Sequence, residues 1–336
     1  MKPIKALSLF SGGLDSILSC RVIMEQGIEV KALHFITPFF GYQKKGREEE
    51  VIEQARRNYG IDLAIIDISE EYMEVAKHPR YGYGKNFNPC LDCKIFLFSK
   101  ARECLAQEGA SFLITGEVIG QRPMSQRRDT LNIVERDSGT KGILLRPLCA
   151  RHLQPTTPER EGWVDRSRLL DFMGRGRKSQ MALAAHYGIT NYPTPAGGCL
   201  LADPIISARV RWTFNSFQES GVQEMLLTSL GRHFALAEKT LLVVGRFEKE
   251  NVQIAQLGRQ GDMLLELLDR PGPVSLLRGP RTQEIIRTAA SITAYHSKAR
   301  EEKQVEVSFS EVDSGLQEVL KADPLSEDAL ASYRIA

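Results

Sequence analysis

The sequence predicts an α/β fold: a parallel sheet with helices on both faces, followed by a smaller α+β domain. Three observations carry that prediction. Apolar runs alternate with helix-like segments through the first 200 residues, a paired-glycine turn joins the first run to the first helix, and the pattern changes after Pro204. Strand–helix alternation of this kind implies parallel pairing with crossover helices.

The first strand is Ala6-Leu7-Ser8-Leu9-Phe10. The turn Ser11-Gly12-Gly13-Leu14-Asp15-Ser16 follows, and the apolar spacing of residues 17–24 suits a helix. Strand, glycine turn and helix start together make an anion trap, because glycine lets backbone N–H groups approach phosphate oxygens and the helix N-terminus adds positive potential. No G-x-x-x-x-G-K-[ST] motif occurs, so this is not a Walker A loop. Without that lysine the turn suits a departing pyrophosphate, with Mg²⁺ screening the charge and Asp15 as its ligand. Residues 30–36, 63–68 and 112–115 read as further buried strands, with periodic helical stretches around 47–59 and 93–107. Ligands of such sheets sit beyond the carboxyl ends of the strands. The 11–16 turn, the segment after Phe35 and the segment after Thr115 would all face that crevice. His34 reads better as a packed strand histidine than as a nucleotide contact.

After Pro204, residues 205–219 read as a helical connector, and residues 240–246 and 274–277 as short strands. The expected organisation is a catalytic domain over 1–205, a second domain over 206–310 and a tail over 311–336. Glu311, Asp313, Glu318, Asp323, Glu327 and Asp328 make that tail acidic, a solvated segment or packing helix without chemistry of its own.

Composition excludes little. Net charge is +2 with 26% charged residues, so any nucleic-acid face must come from local clustering. No apolar run approaches the roughly 18 residues of a membrane span. The N-terminus runs straight into the first strand, which leaves no room for a signal peptide, so the chain is expected to be cytoplasmic, with its six cysteines reduced unless they serve metal or redox chemistry.

Asn88-Pro89-Cys90-Leu91-Asp92-Cys93-Lys94 places two thiols three residues apart, where both can reach one metal or cluster and a helix N-terminus would lower their pKa. Cys199 follows glycines in Pro195-Ala196-Gly197-Gly198-Cys199. Cys20 and Cys104 fall among apolar neighbours and read as core, and Cys149 is ambiguous. Half a zinc site and a thioredoxin-like redox pair are both open to a C-x-x-C. Against them, no second pair completes a zinc site, and the motif follows the third strand instead of the first. The favoured reading has Cys90, Cys93 and Cys199 converging on the nucleotide site for sulfur chemistry.

Ser11–Ser16, Asn88–Lys94 and the run Thr115-Gly116-Glu117-Val118-Ile119-Gly120-Gln121-Arg122-Pro123-Met124-Ser125-Gln126 together resemble the PP-loop ATP pyrophosphatases. Within these, the chain resembles the tRNA thiouridine synthetases of the 2-thiouridylase and ThiI types, over roughly residues 5–205. The resemblance implies an adenine-nucleotide alpha-hydrolase-like fold and an AMP-forming, ATP-dependent sulfurtransferase. Such an enzyme adenylates a base carbonyl of tRNA, releases pyrophosphate and inserts sulfur. It implies ATP binding by Ser11, Gly12, Gly13, Leu14, Asp15, Ser16, Phe35, Gly116 and Gln121, Mg²⁺ on Asp15, and catalysis by Asp15, Cys93 and Cys199. Arg122, Ser125 and Gln126 would position substrate or phosphate. The three-cysteine set resembles thiolation enzymes that hold a [4Fe–4S] cluster on Cys90, Cys93 and Cys199. Sulfur would come from a cysteine desulfurase or free sulfide, as a cysteine persulfide or as cluster-bound sulfide. No THUMP domain precedes the turn and no rhodanese-like domain follows, which departs from the 4-thiouridine synthases.

Residues 206–310 resemble the NFACT-R RNA-binding module. Arg232, Arg246, Arg278, Arg281, Arg287, Lys298 and Arg300 would form its phosphate-binding face, and Gly174-Arg175-Gly176-Arg177-Lys178 is a denser basic cluster upstream. Two other readings remain at this stage: a PP-loop sulfurtransferase or amidotransferase acting on a small molecule, and an ATP-sensing RNA-binding protein without turnover. Oligomeric state is not legible.

Overall fold

The computed structural model describes residues 3–122, 125–194 and 198–336, and the chain forms two compact units, Met1–Cys199 and Leu200–Ala336. In the first, the order is β1 (Lys5–Leu9), α1 (Leu14–Met24), β2 (Glu29–Ile36), α2 (Glu48–Tyr59), β3 (Asp62–Asp67), α3 (Ser69–Lys77), α4 (Cys90–Gln107), β4 (Phe112–Thr115), α5 (Arg128–Asp137), β5 (Leu144–Leu145), α6 (Thr157–Arg160) and α7 (Lys178–His186). The strands pair in parallel in the order β3-β2-β1-β4-β5.

Successive strand residues point to opposite faces, and each face has its own apolar layer. Ala6, Val30, Ala32, Phe112 and Ile114 pack with Leu14, Ile17, Leu18 and Ala184 of α1 and α7. Their neighbours Leu7, Leu33, Leu113 and Leu144 pack on the other side with Phe98 and Ala101 of α4 and Val134 of α5. Burial on both faces is what makes these strands near-continuous apolar runs.

The second unit contains α8 (Pro204–Ser216), α9 (Val222–Thr228), β6 (Arg232–Ala237), β7 (Thr240–Val244), α10 (Glu248–Gln256), β8 (Met263–Leu267), β9 (Ser275–Arg278), α11 (Gln283–Tyr295), β10 (Val305–Glu311), β11 (Gln317–Ala322) and α12 (Glu327–Ala331). Its sheet is antiparallel, in the order β11-β10-β8-β9-β7-β6. α11 covers one face and α9 and α10 the other.

The acidic tail expected over 311–336 is corrected here. Residues 317–322 are the edge strand of this sheet, Leu330 is buried in its core, and Ile335 donates its N–H to the His233 carbonyl. Of the acidic residues only Glu318 lies on that edge strand, while Glu311 ends β10 and Glu327 and Asp328 open α12. Charge therefore disguised an element of the core sheet.

Candidate active site

The β1–α1 turn is built by glycine. Gly12 has φ +80°, a left-handed conformation that only glycine adopts without strain. Gly13 caps α1 with no side-chain hydrogen bond to its first turn, which leaves the leading amides open for an anion. Ser16 is tied down by its N–H and its Oγ, both donating to the Gly13 carbonyl at 3.0 and 2.7 Å. Leu14 is fully buried and anchors the turn to the core.

Behind the turn lies the end of β4. A β-carbon on Gly116 would collide with the backbone of Asp15 and Ser16, so glycine is required for the two segments to meet. Gln121 Nε2 donates to Asp15 Oδ2 at 2.7 Å, and its Oε1 accepts from Gln180 Nε2 of α7 at 3.3 Å. Asp15 Oδ1 is buried and has no partner among the described residues. An ionised carboxylate oxygen left in that state suits a cation, and the residues present fit Mg²⁺.

The segment after β4 is bound to α4 by a buried charge network. Glu117 pairs with Lys94 and with Arg146, the latter at 2.9 Å, while Arg146 also reaches Glu135. Lys94 Nζ donates to the Ser125 carbonyl at 2.7 Å. The two cations beside Glu117 hold its carboxyl below the usual range despite full burial. Cys93 is the residue before Lys94, so one continuous set of contacts runs from the 11–16 turn through residues 116–125 to the cysteine helix.

Cys90 is the first residue of α4 and Cys93 lies one turn on. The charges of Cys90 and Cys199 both act on the Cys93 thiol, so the three thiols are within electrostatic reach of one another. The helix N-terminus was expected to lower the Cys93 pKa. Instead burial dominates and pushes it up to about 12, opposed by a hydrogen bond with Tyr72. Asn88 Nδ2 donates to Cys90 Sγ at 2.9 Å. A single metal ion with Zn–S bonds of about 2.3 Å needs sulfurs within roughly 4.6 Å of each other, and no group of three or more His, Cys, Asp or Glu side chains meets metal-holding geometry among the described residues. Three thiols are a donor set of the kind that holds an iron–sulfur cluster.

The remaining expectations divide. Phe35 is buried in the layer against α4, so its side chain does not reach the crevice. Cys20 and Cys149 are buried, with Sγ atoms donating to Ser8 Oγ and the Glu117 carbonyl, and Cys104 packs in the α4 layer. Gln126 is buried and closes the loop by accepting from the Gly120 N–H. Pro123, Met124 and residues 195–197 lie outside the described residues. Sequence reasoning missed Lys44, Gln180 and the Glu117–Arg146 pair. Only the glutamate of T-G-E carried a signal, since a carboxylate in an apolar run demands a partner.

In the second unit the arginines of the expected phosphate face separate. Arg278 is buried between Asp262 and Glu224, and Arg281 is bound to Glu311 and the Gly261 carbonyl, so both are structural. Arg232 keeps no acidic partner among the described residues.

Comparisons with known proteins match two separate stretches of the chain. Residues 3–153 match the family model described as thiamine biosynthesis protein (ThiI), and residues 231–334 match that of the NFACT protein RNA binding domain. A Staphylococcus aureus protein described as "Probable tRNA sulfurtransferase" is 30% identical over 150 residues, covering 43% of this chain and 34% of its own length. The tRNA-specific 2-thiouridylase of Oleidesulfovibrio alaskensis is 29% identical over 119 residues, covering 34% of this chain and 33% of its own. The chain thus spans about a third of the length of these curated relatives. A solved 4-thiouridine synthetase–RNA complex with bound ATP aligns at 20% identity and TM-score 0.34, over 43% of this chain and 36% of that one. No helix among the described residues is long and apolar enough to cross a membrane.

Proposed function

We propose, for a chain whose residues 3–153 match the ThiI family model and whose residues 231–334 match that of the NFACT RNA-binding domain, that it is an ATP-dependent tRNA sulfurtransferase. The observation that carries this reading is the unbroken contact path from the 11–16 turn, through Gly116, Gln121 and Glu117, to Lys94 and Cys93. It supports a single site in which nucleotide activation and sulfur transfer adjoin.

In this reading the open amides of the turn hold the β and γ phosphates of ATP, and Asp15 holds Mg²⁺. A carbonyl oxygen of a tRNA base attacks the α-phosphate, the bond to the β-phosphate breaks, and pyrophosphate leaves on the turn. The base carbon now bears AMP as a leaving group. The terminal sulfur of a persulfide on Cys93 or Cys199 attacks that carbon, and AMP departs with the original oxygen. The other cysteine then attacks the bridging cysteine sulfur, leaving sulfur on the base and a disulfide that an external dithiol reduces. In the alternative to the persulfide route, Cys90, Cys93 and Cys199 would hold a [4Fe–4S] cluster, which when bound would supply an iron site for sulfide. The persulfide is delivered by a cysteine desulfurase; free sulfide, already a nucleophile, would instead attack the activated carbon itself, with AMP departing and no disulfide formed. RNA held by the second unit offers the base, which leaves its stack to enter the pocket.

The test is AMP and pyrophosphate production by anaerobically purified chain with and without bulk tRNA. RNA-stimulated AMP formation is expected. Cleavage indifferent to RNA would assign a small-molecule substrate, and RNA binding without any AMP would reduce the site to a sensor.

A further inference from the structure

Three arginines of the second unit converge on one corner of its sheet. Arg232 opens β6 opposite Val244, the last residue of β7, and Arg246 lies two residues beyond that pair. Arg209 of α8 is buried, and its Nη1 and Nη2 donate to the Thr228 and Gly231 carbonyls at 3.0 and 3.2 Å. Its Nε is buried and unpartnered among the described residues. Two carboxylates act on this group, Asp203 on Arg209 and Glu250 on all three arginines, and only Glu250 bonds to one of them. It accepts from the Arg246 N–H and Nε, both at 3.0 Å. Nearby Arg334 is occupied by Glu327 at 2.7 Å.

Such an arrangement is costly unless something else comes to it. Burial first, and then the charge of Arg246, push the Arg209 guanidinium down to about 10 against the pull of Asp203 and Glu250. Arg232 is lowered by burial and by Arg246 in the same way. Beside the cluster, Phe247 is 56% exposed, with the Arg246 guanidinium 6.0 Å from its ring centroid. An exposed aromatic face beside a cluster of guanidiniums matches the two needs of single-stranded RNA, stacking for the base and charge for the phosphate.

We propose that the corner formed by Gly231 and Gly245 is a phosphate-binding site. Arg232 and Arg246 meet the anion, Arg209 is the fixed charge beneath them, and Phe247 is the face on which the adjoining base stacks. The ligand is a phosphodiester of single-stranded RNA, which rests on the RNA-holding role given to this unit above. Arg246 keeps its Glu250 contact and presents its remaining N–H edge, so Arg232 carries the uncompensated charge.

The experiment uses the full chain, with fluorescence anisotropy on a labelled single-stranded RNA of about 12 nucleotides. Arg232→Gln and Phe247→Ala are each expected to weaken binding about tenfold. Arg232→Gln also reduces the slope of log K against log salt by about 0.7, the value for one lost contact to single-stranded RNA. Arg270→Gln, whose guanidinium is held by Asp269 and Glu302, binds as wild type. Should both variants keep wild-type RNA binding yet lose a rise in Tm that millimolar inorganic phosphate gives the parent, the site takes free phosphate. Variants that lose neither overturn the site. A wild-type chain that binds no RNA overturns the RNA-holding role and this ligand with it.

Discussion

Lys44 Nζ stands 2.9 Å from His34 Nε2, and this contact sets the state of both groups. His34 Nδ1 lies 2.7 Å from the Phe10 carbonyl, which can only accept, so Nδ1 carries the proton and Nε2 offers its lone pair to the ammonium. Burial and the neighbouring cation hold the imidazole down to about 4. Gly41, at φ +74°, lets the loop after β2 fold back over His34, where a β-carbon would meet Ile36 and His34 at 2.9 and 3.0 Å. A half-buried ammonium is thereby fixed beside Phe10, the residue that leads into the phosphate turn. It has no acidic partner among the described residues.

Lys44→Met should therefore weaken ATP binding about tenfold, the loss of one charge-assisted contact, and leave AMP binding unchanged. Calorimetric titration with each nucleotide reads this directly. Equal loss for both would place Lys44 away from the β and γ phosphates.

Stability should fall on acidification below neutrality. Folded His34 takes its proton near pH 4, while an unfolded histidine takes it near 6.5. The contribution is complete above 6.5 and is lost as pH drops through the folded value. His233, held at about 3 by burial and by Arg209, acts in the same direction. Urea midpoints at pH 7 and pH 5 should separate in the parent and draw together in His34→Gln. An unchanged separation in that variant counts against the His34 assignment.

Asp15→Asn keeps the size of the side chain and removes the charge of its unpartnered Oδ1. AMP formation should drop on the order of 100-fold, the scale of losing one preorganised electrostatic contact, with an unchanged unfolding midpoint. Near-normal turnover in Asp15→Asn would falsify the cation-ligand role.

Glu117→Gln leaves Lys94 and Arg146 without their shared buried carboxylate. Removing one partner of such a pair costs about 3–5 kcal/mol, measurable in chemical denaturation. A cost under about 1 kcal/mol would mean that the network adds no rigidity between the turn and the cysteine helix.

Cys93→Ser should spare RNA-stimulated AMP release and abolish sulfur transfer. In the parent, iodoacetamide should label Cys90, exposed at the start of α4, ahead of Cys93, whose buried thiol is pushed up to about 12. Peptide mass mapping across pH 6–9 decides the order.

Much of the first unit was legible because its signals are local. The strand Phe112–Thr115 is a bare apolar run, and Gly12 and Gly13 mark their turn by composition alone. Arg278 and Arg281 show the opposite case. In sequence they are indistinguishable from Arg232, and only the sheet brings Asp262, Glu224 and Glu311 to them. Residues 317–322 likewise read as a charged tail because an edge strand buries too little of itself to show a period.

The sequence by itself determined the strand–helix alternation of the first unit, the paired-glycine turn and the cysteine pair, since each depends on residues within a few positions of one another. The tertiary structure decided which charges are spent and which remain. Whether Cys93 is a reactive thiolate or a buried thiol, whether Lys44 faces a carboxylate or an imidazole, and whether an arginine holds the core or waits for an anion all depend on desolvation and on partners far away in the chain. Those two quantities exist only once the layers have packed.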